Sequence, residues 1–341
     1  MGSGRWFRLS IGLVLVIVPL WALFSRLDAI WNGHPAYPTT LLVTVGGGLM
    51  LIAFALYPWR RDPEPNGPPW EADERDGTST ANSAPGPAER RRRRWRIAGR
   101  ILTAVLALLL VGFLFWLRPF EAGQDALAAL YSDGSVSVVD TPTTIELSPV
   151  DVQPTAGLVF SPGARVDSRA YAALLRPVAE AGHLVVILKE PFGLAITQVG
   201  QAAGPIGEHP EITTWAVGGH SLGGVSAASF AGDNPATVSG LLLWASYPNG
   251  DLSADTDLQV ESISGTNDGL TTPADIEQSR AKLPPDTTFT VIDGGVHAFF
   301  ADYGEQPGDG QPTIDRDTAS AQIIAASTAF LDRLVEPVPT G

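Results

Sequence analysis

The 341-residue chain has no cysteine and only five histidines. Without thiols it can form no disulfide and use no thiolate as a nucleophile, which is compatible with an exported domain built without disulfides. No histidine, aspartate and glutamate grouping has metal-ligand spacing, and no glycine-rich loop of the phosphate-cradling kind occurs. The segment 302–310 is rich in acid and glycine but lacks the alternating ligands of an EF-hand loop, so it reads as a structural loop flanking a site. No metal and no cofactor are expected. His34, His183 and His209 have no sequence partner and read as structural or exposed. Net positive charge is missing too: the formal net charge is −14, which disfavours a broad nucleic-acid surface.

What the chain has instead is segregated. Its length suggests two domains, yet the N-terminal third is not globular. Three apolar stretches, 9–24, 41–59 and 101–117, approach the roughly 17–25 residues that cross a bilayer. Trp6, Trp21, Tyr57, Trp59, Trp95 and Trp116 cluster near their ends, as interfacial aromatics do. The third stretch carries no charge and no amphipathic stripe. No small-residue cleavage site follows the first, so it reads as a retained span rather than a signal peptide. The expected division is a transmembrane region over 1–118 and a soluble domain over 119–341.

Arginine placement orients those spans. Arg5 and Arg8 precede the first, and Arg60, Arg61, the arginines at 90–94, Arg96 and Arg100 lie between the second and third. The segment 25–40 carries only Arg26, beside Asp28. Positive-inside logic puts the N-terminus and the long segment in the cytoplasm, and the acidic domain on the other side of the membrane. The stretch 60–96, rich in Pro, Gly, Ser and charge, reads as a disordered cytoplasmic loop. Its arginine run abuts the third span, which fits contact with anionic lipid headgroups better than nucleic-acid binding.

Within the acidic domain one run carries chemistry. Residues 213–217 read as a strand, Gly219-His220-Ser221-Leu222-Gly223 as a sharp turn, and 225–231 as a small-residue helix. G-x-S-x-G at such a corner lifts a serine clear of a sheet, where it can attack a carbonyl. A serine nucleophile needs a base, and the base needs an orienting acid. His297 is the one histidine downstream of Ser221, just past the strand 288–292. Asp268 ends the turn after the strand 258–264 and is the expected acid. Asp293 also lies between serine and histidine, but four residues before His297, where it reads as a turn-former. An oxyanion hole is expected from the N–H of Leu222 and that of Ala164, or alternatively Gly163, in the turn after the buried strand 156–160.

Four pieces, Phe160-Ser161-Pro162-Gly163-Ala164-Arg165, Gly218-Gly219-His220-Ser221-Leu222-Gly223-Gly224, Ser264-Gly265-Thr266-Asn267-Asp268-Gly269 and Gly294-Gly295-Val296-His297, together resemble the bacterial α/β-hydrolases of the fold-5 group. These are relatives of the dienelactone hydrolases. The resemblance runs from about residue 128 to the C-terminus. It implies Ser221 as nucleophile, Asp268 as acid and His297 as base. Dienelactone hydrolases proper use a cysteine nucleophile, so it does not extend to their substrate.

The rest of the domain fits that architecture. Short, near-continuously apolar runs at 183–188 and 238–246 read as buried parallel strands, alternating with helices in a doubly wound, mostly parallel α/β sheet. Residues 135–139 and 144–147 read as edge strands, and 318–334 as the last helix. The gap 245–258 is too short for a large lid. The expected protein is a membrane-anchored serine hydrolase acting on a small-molecule or lipid ester, with membrane lipid as its other partner. Acyl transfer to an envelope lipid or sugar, and a catalytically silent binding module, are the alternatives.

Overall fold

The computed structural model describes residues 3–57 and 86–336. They divide into two compact units, one of residues 3–24 with 40–57 and 86–116, the other of residues 25–39 with 117–336.

Three helices in the N-terminal part, α1 (Ser3–Ser25), α3 (Ala36–Leu56) and α4 (Pro87–Trp116), are long and apolar enough to cross a membrane. A short helix, α2 (Leu27–Asn32), lies between the first two. One expectation is corrected here. Residues 87–96, expected as part of a disordered loop, are the first turns of α4. Pro87 opens the helix where its missing N–H costs nothing, and alanine, glutamate and arginine are good helix formers. A lone glycine weakens a helix without ending it, so the helix passes through Gly99 from the exposed arginines at 90–94 into the apolar span. The part of that expectation covering 60–85 falls outside the described residues.

Residues 117–336 build an eight-stranded sheet in the order β1-β2-β4-β3-β5-β6-β7-β8. The strands are β1 (Val136–Asp140), β2 (Thr144–Pro149), β3 (Gly157–Ser161), β4 (Leu184–Leu188), β5 (Trp215–His220), β6 (Gly240–Trp244), β7 (Gln259–Gly265) and β8 (Thr288–Ile292), with short helices α5 (Gln124–Ala128) before β1, α7 (Ala203–Glu208) before β5 and α9 (Pro273–Ser279) before β8. β1 and β2 are antiparallel, and every pairing from β4 to β8 is parallel. Every residue of β3 to β6 is buried, which is why these strands read as continuous apolar runs rather than alternating ones.

Alternation still decides which face each side chain serves. Leu158, Phe160, Val185, Ile187, Leu242 and Trp244 join one core, with α6 (Ala172–Glu180) and α10 (Arg316–Val335). Val159, Val186, Leu188, Val217, Leu241 and Leu243 join the other, with α8 (Leu222–Asp233). The sheet is thus covered on both faces, and its strand ends are left to carry loops. The chain between β6 and β7 forms no helix. Between β4 and β5 it forms three short 3-10 turns and a one-turn helix, Ala203–Glu208.

Segment 25–39 belongs to this second unit. Arg26 pairs with Glu121 at 2.6 Å, and Asp28 pairs at 2.7 Å with Arg169, which Asp167 also holds at 2.7 Å. The histidines that lacked a partner in the sequence acquire one. His183 lies between Thr155 and Asp332, His209 between Glu146 and Glu211, and His34 Nδ1 accepts the N–H of Ala36.

Candidate active site

The corner between β5 and α8 is occupied by Ser221, whose backbone lies at φ 52°, ψ −123°. A side chain in this region is strained and persists only where its surroundings hold it. Here the Ser221 N–H donates to the Trp244 carbonyl at 3.0 Å, and its own carbonyl accepts from Ser246 Oγ at 2.6 Å and Gly224 N–H at 3.1 Å. The flanking glycines are steric necessities. A Cβ on Gly219 would lie 2.4 Å from the Gly223 carbonyl carbon, and one on Gly223 would lie 2.0 Å from the Ser161 oxygen. Strand, turn and helix pass too closely for any side chain.

Two further turns bring an acid to a base. Asp268 follows β7, and His297 opens a 3-10 turn after β8. His297 Nδ1 lies 2.9 Å from Asp268 Oδ2, and both side chains are about 1 % exposed or less. Asp268 Oδ1 is held separately by the N–H groups of Leu270 at 2.8 Å and Thr271 at 2.7 Å. With its carboxylate only accepting, the proton of the pair sits on Nδ1, leaving Nε2 as the basic nitrogen. Asp293 is exposed and accepts instead from Thr266 Oγ1 at 3.1 Å.

Leu222 is the first residue of α8, so its N–H has no acceptor within the helix. The two amides considered for the second oxyanion donor differ in occupancy. Gly163 N–H donates to Tyr171 Oη at 2.8 Å, whereas no hydrogen bond engages Ala164 N–H among the described residues.

Tyr171 is one of the residues sequence reasoning missed. Its hydroxyl accepts from Gly163 and lies 2.8 Å from His220 Nδ1, so its own proton goes to that nitrogen and His220 is the Nε2–H tautomer. Burial, then the neighbouring His297, pushes the His220 pKa well down, and burial pushes the Tyr171 hydroxyl well up, so both stay neutral. The His220 ring stands 4.5 Å from that of His297. Asp309 is the second such residue. Its Oδ1 accepts the N–H groups of His297, Gly269 and Gly310, and its Oδ2 accepts that of Ala298. Neither residue has a motif around it; a tyrosine opening a helix and an aspartate in a glycine loop are ordinary sequence.

Residues 157–321 match the family model described as the Alpha/beta hydrolase family. That span begins at β3, includes Ser221, Asp268 and His297, and ends inside α10. This unit is an α/β-hydrolase. Similar solved structures include a predicted CIB-like hydrolase from Thermoplasma acidophilum, at 14 % identity and TM-score 0.44 over 59 % of this chain and 98 % of that one. An esterase from Pyrobaculum calidifontis matches at 15 % and 0.43, over 61 % and 92 %. A dienelactone hydrolase from Anabaena variabilis matches at 19 % and 0.42, over 60 % and 98 %. No curated protein matches. The α/β-hydrolase is therefore an enzyme of hydrolytic type, preceded by three helices long and apolar enough to span a membrane.

Proposed function

We propose that the chain is a membrane-anchored serine hydrolase that cleaves carboxylic esters through Ser221, His297 and Asp268. The observation that carries this reading is the buried 2.9 Å pair of His297 Nδ1 and Asp268 Oδ2, in the family domain whose strand-to-helix corner holds Ser221. Ser221 Oγ attacks the ester carbonyl as His297 Nε2 takes its proton, and the N–H groups of Leu222 and Ala164 receive the oxyanion. The imidazolium returns its proton to the leaving alcohol. Water then attacks the acyl-enzyme by the same route. Asp268 fixes the imidazole tautomer throughout. Esters rather than amides are assigned by analogy with the commonest chemistry of this fold.

Anchoring is supported by the membership of the second unit. Segment 25–39 precedes the second candidate span, and the hydrolase follows the third, yet both are parts of one compact unit. On this reading, chain that leaves this unit at α3 returns to the same side of the membrane after α4. Arg60, Arg61 and the arginines in the first turns of α4 favour the cytoplasm for the chain between the second and third apolar spans, and hence the outer side for the hydrolase.

The test uses the full chain in detergent micelles, with a fluorophosphonate probe and a series of activated esters of increasing acyl length. The wild type should label and turn over ester. Ser221→Ala should lose labelling, and its turnover should fall by several orders of magnitude with folding unchanged. A variant that keeps more than about a tenth of wild-type turnover would remove Ser221 as nucleophile.

A further inference from the structure

Three turns meet at the Asp309 side chain. Its Oδ1 accepts from Gly269 N–H at 3.2 Å, His297 N–H at 3.1 Å and Gly310 N–H at 2.7 Å, while Oδ2 accepts from Ala298 N–H at 2.8 Å. Gly269 directly follows the acid Asp268. Ala298 directly follows the base His297. One carboxylate therefore joins the turn after β7 to the turn after β8, close to the residues that form the Asp268–His297 pair.

The loop around Asp309 is fitted to this task. A Cβ on Gly310 would lie 1.8 Å from the Asn267 oxygen, and one on Gly269 would lie 2.8 Å from the Gly308 oxygen, so loop and acid turn touch through backbone. Asn267 extends the contact, donating from Nδ2 to the Gln311 carbonyl at 2.9 Å and from its N–H to the Gly295 carbonyl at 2.9 Å. We infer that Asp309 is a positioning residue for this hydrolase, whose charged carboxylate holds the acid-bearing and base-bearing turns in register. The inference rests on the proposed roles of Asp268 and His297.

Charge matters as well as shape. Hydrogen bonds from N–H to an ionised oxygen are roughly twice as strong as neutral ones, and both oxygens here face only donors. An asparagine would turn an NH2 group toward one of those N–H groups, leaving it unpaired. A small displacement between acid and base turns should then slow the chemistry without altering how substrate is bound.

The experiment compares Asp309→Asn, Asp268→Asn, the double variant and Asp302→Asn in the full chain. Asp302 serves as a structural control, because its carboxylate accepts the Ala126 N–H at 3.1 Å rather than an N–H that Asp309 holds. Asp309→Asn should lower kcat on the order of 10-fold to 100-fold, as misplacement of catalytic groups does, with KM little changed. Asp302→Asn should lower the thermal midpoint while leaving kcat near wild type. The double variant should be no slower than Asp268→Asn, since the clamp acts only through that pair. Should Asp309→Asn not accumulate, Asp309→Ser, which still offers one acceptor, is measured with the same expectation. Wild-type kcat in the Asp309 variant, a loss matched by Asp302→Asn, or losses that multiply in the double variant would overturn the inference. If Asp268→Asn itself stays active, the underlying triad reading fails first and takes the inference with it.

Discussion

Two aspartates lie between Ser221 and His297 in the chain, and their surroundings differ in every respect that matters for orienting an imidazole. Asp268 is 3 % exposed, receives two backbone N–H bonds on one oxygen and turns the other to His297. Asp293 is exposed and tied to a threonine hydroxyl. Asp268→Asn should therefore lower ester turnover by roughly 10³–10⁴, because the amide can hold the imidazole in the wrong tautomer. Asp293→Asn should stay close to wild type. Initial rates of both variants on one activated ester check this, and the opposite ranking would transfer the acid role to Asp293. The sequence named both aspartates and preferred Asp268, which ends the turn after a separate strand, over Asp293, which lies only four residues before His297. It had no way to show the two N–H groups of Leu270 and Thr271, because these form only once the turn closes.

At the scale of the element, the end of β4 holds a carboxyl the proposed chemistry does not use. Glu190 is 4 % exposed, and its Oε2 has no hydrogen-bond partner among the described residues. It lines a cavity of about 40 Å³ with Ala29, Ile30, His34, Tyr37 and Arg165. Burial pushes its pKa up to about 8, against a smaller opposing effect from Ser161. Over the range between an ordinary glutamate value of 4.5 and about 8, the fold keeps a proton that the unfolded chain releases. Stability should therefore be highest on the acid side and fall as pH rises through about 8. Thermal midpoints of wild type and Glu190→Gln, measured from about pH 5 to about pH 9, should diverge toward alkaline pH, with the glutamine variant falling less. Parallel curves would mean that Glu190 ionises freely in the fold. The strand was legible as an apolar run. That the glutamate two residues past its end lines a cavity with segment 25–39 was not, because that segment lies more than 150 positions earlier in the chain.

For the whole molecule, the placement of segment 25–39 constrains how many times the chain can cross. Failure of α1 alone to span would leave this segment and the hydrolase on one side, whereas failure of only α3 or only α4 would separate them. In the proposed topology arginine asymmetry selects the face. A reporter active only in the cytoplasm should be on when fused after Trp70 and off when fused after Glu121. Protease added to intact spheroplasts should remove the hydrolase and spare the arginine-bearing segment. A cytoplasmic signal from the second fusion would invert the orientation and move the substrate search to cytosolic esters.

Local information was enough for the elements. Continuous apolar runs at 183–188 and 238–246 dictate buried parallel strands, because only strands covered on both faces can be apolar throughout. Gly219-x-Ser221-x-Gly223 dictates the corner, because any larger side chain there would meet backbone at 2.0–2.4 Å. Apolar length and arginine placement are likewise properties of contiguous chain. Register between distant turns was decided only by the tertiary structure. The alignment of β7 beside β8 brings Asp268 to His297, a separate loop supplies Asp309 to the turns that carry them, and Tyr171 reaches His220 across 49 positions. Such contacts leave no local trace, since each depends on two segments that share neither a period nor a motif and meet only when the sheet is assembled.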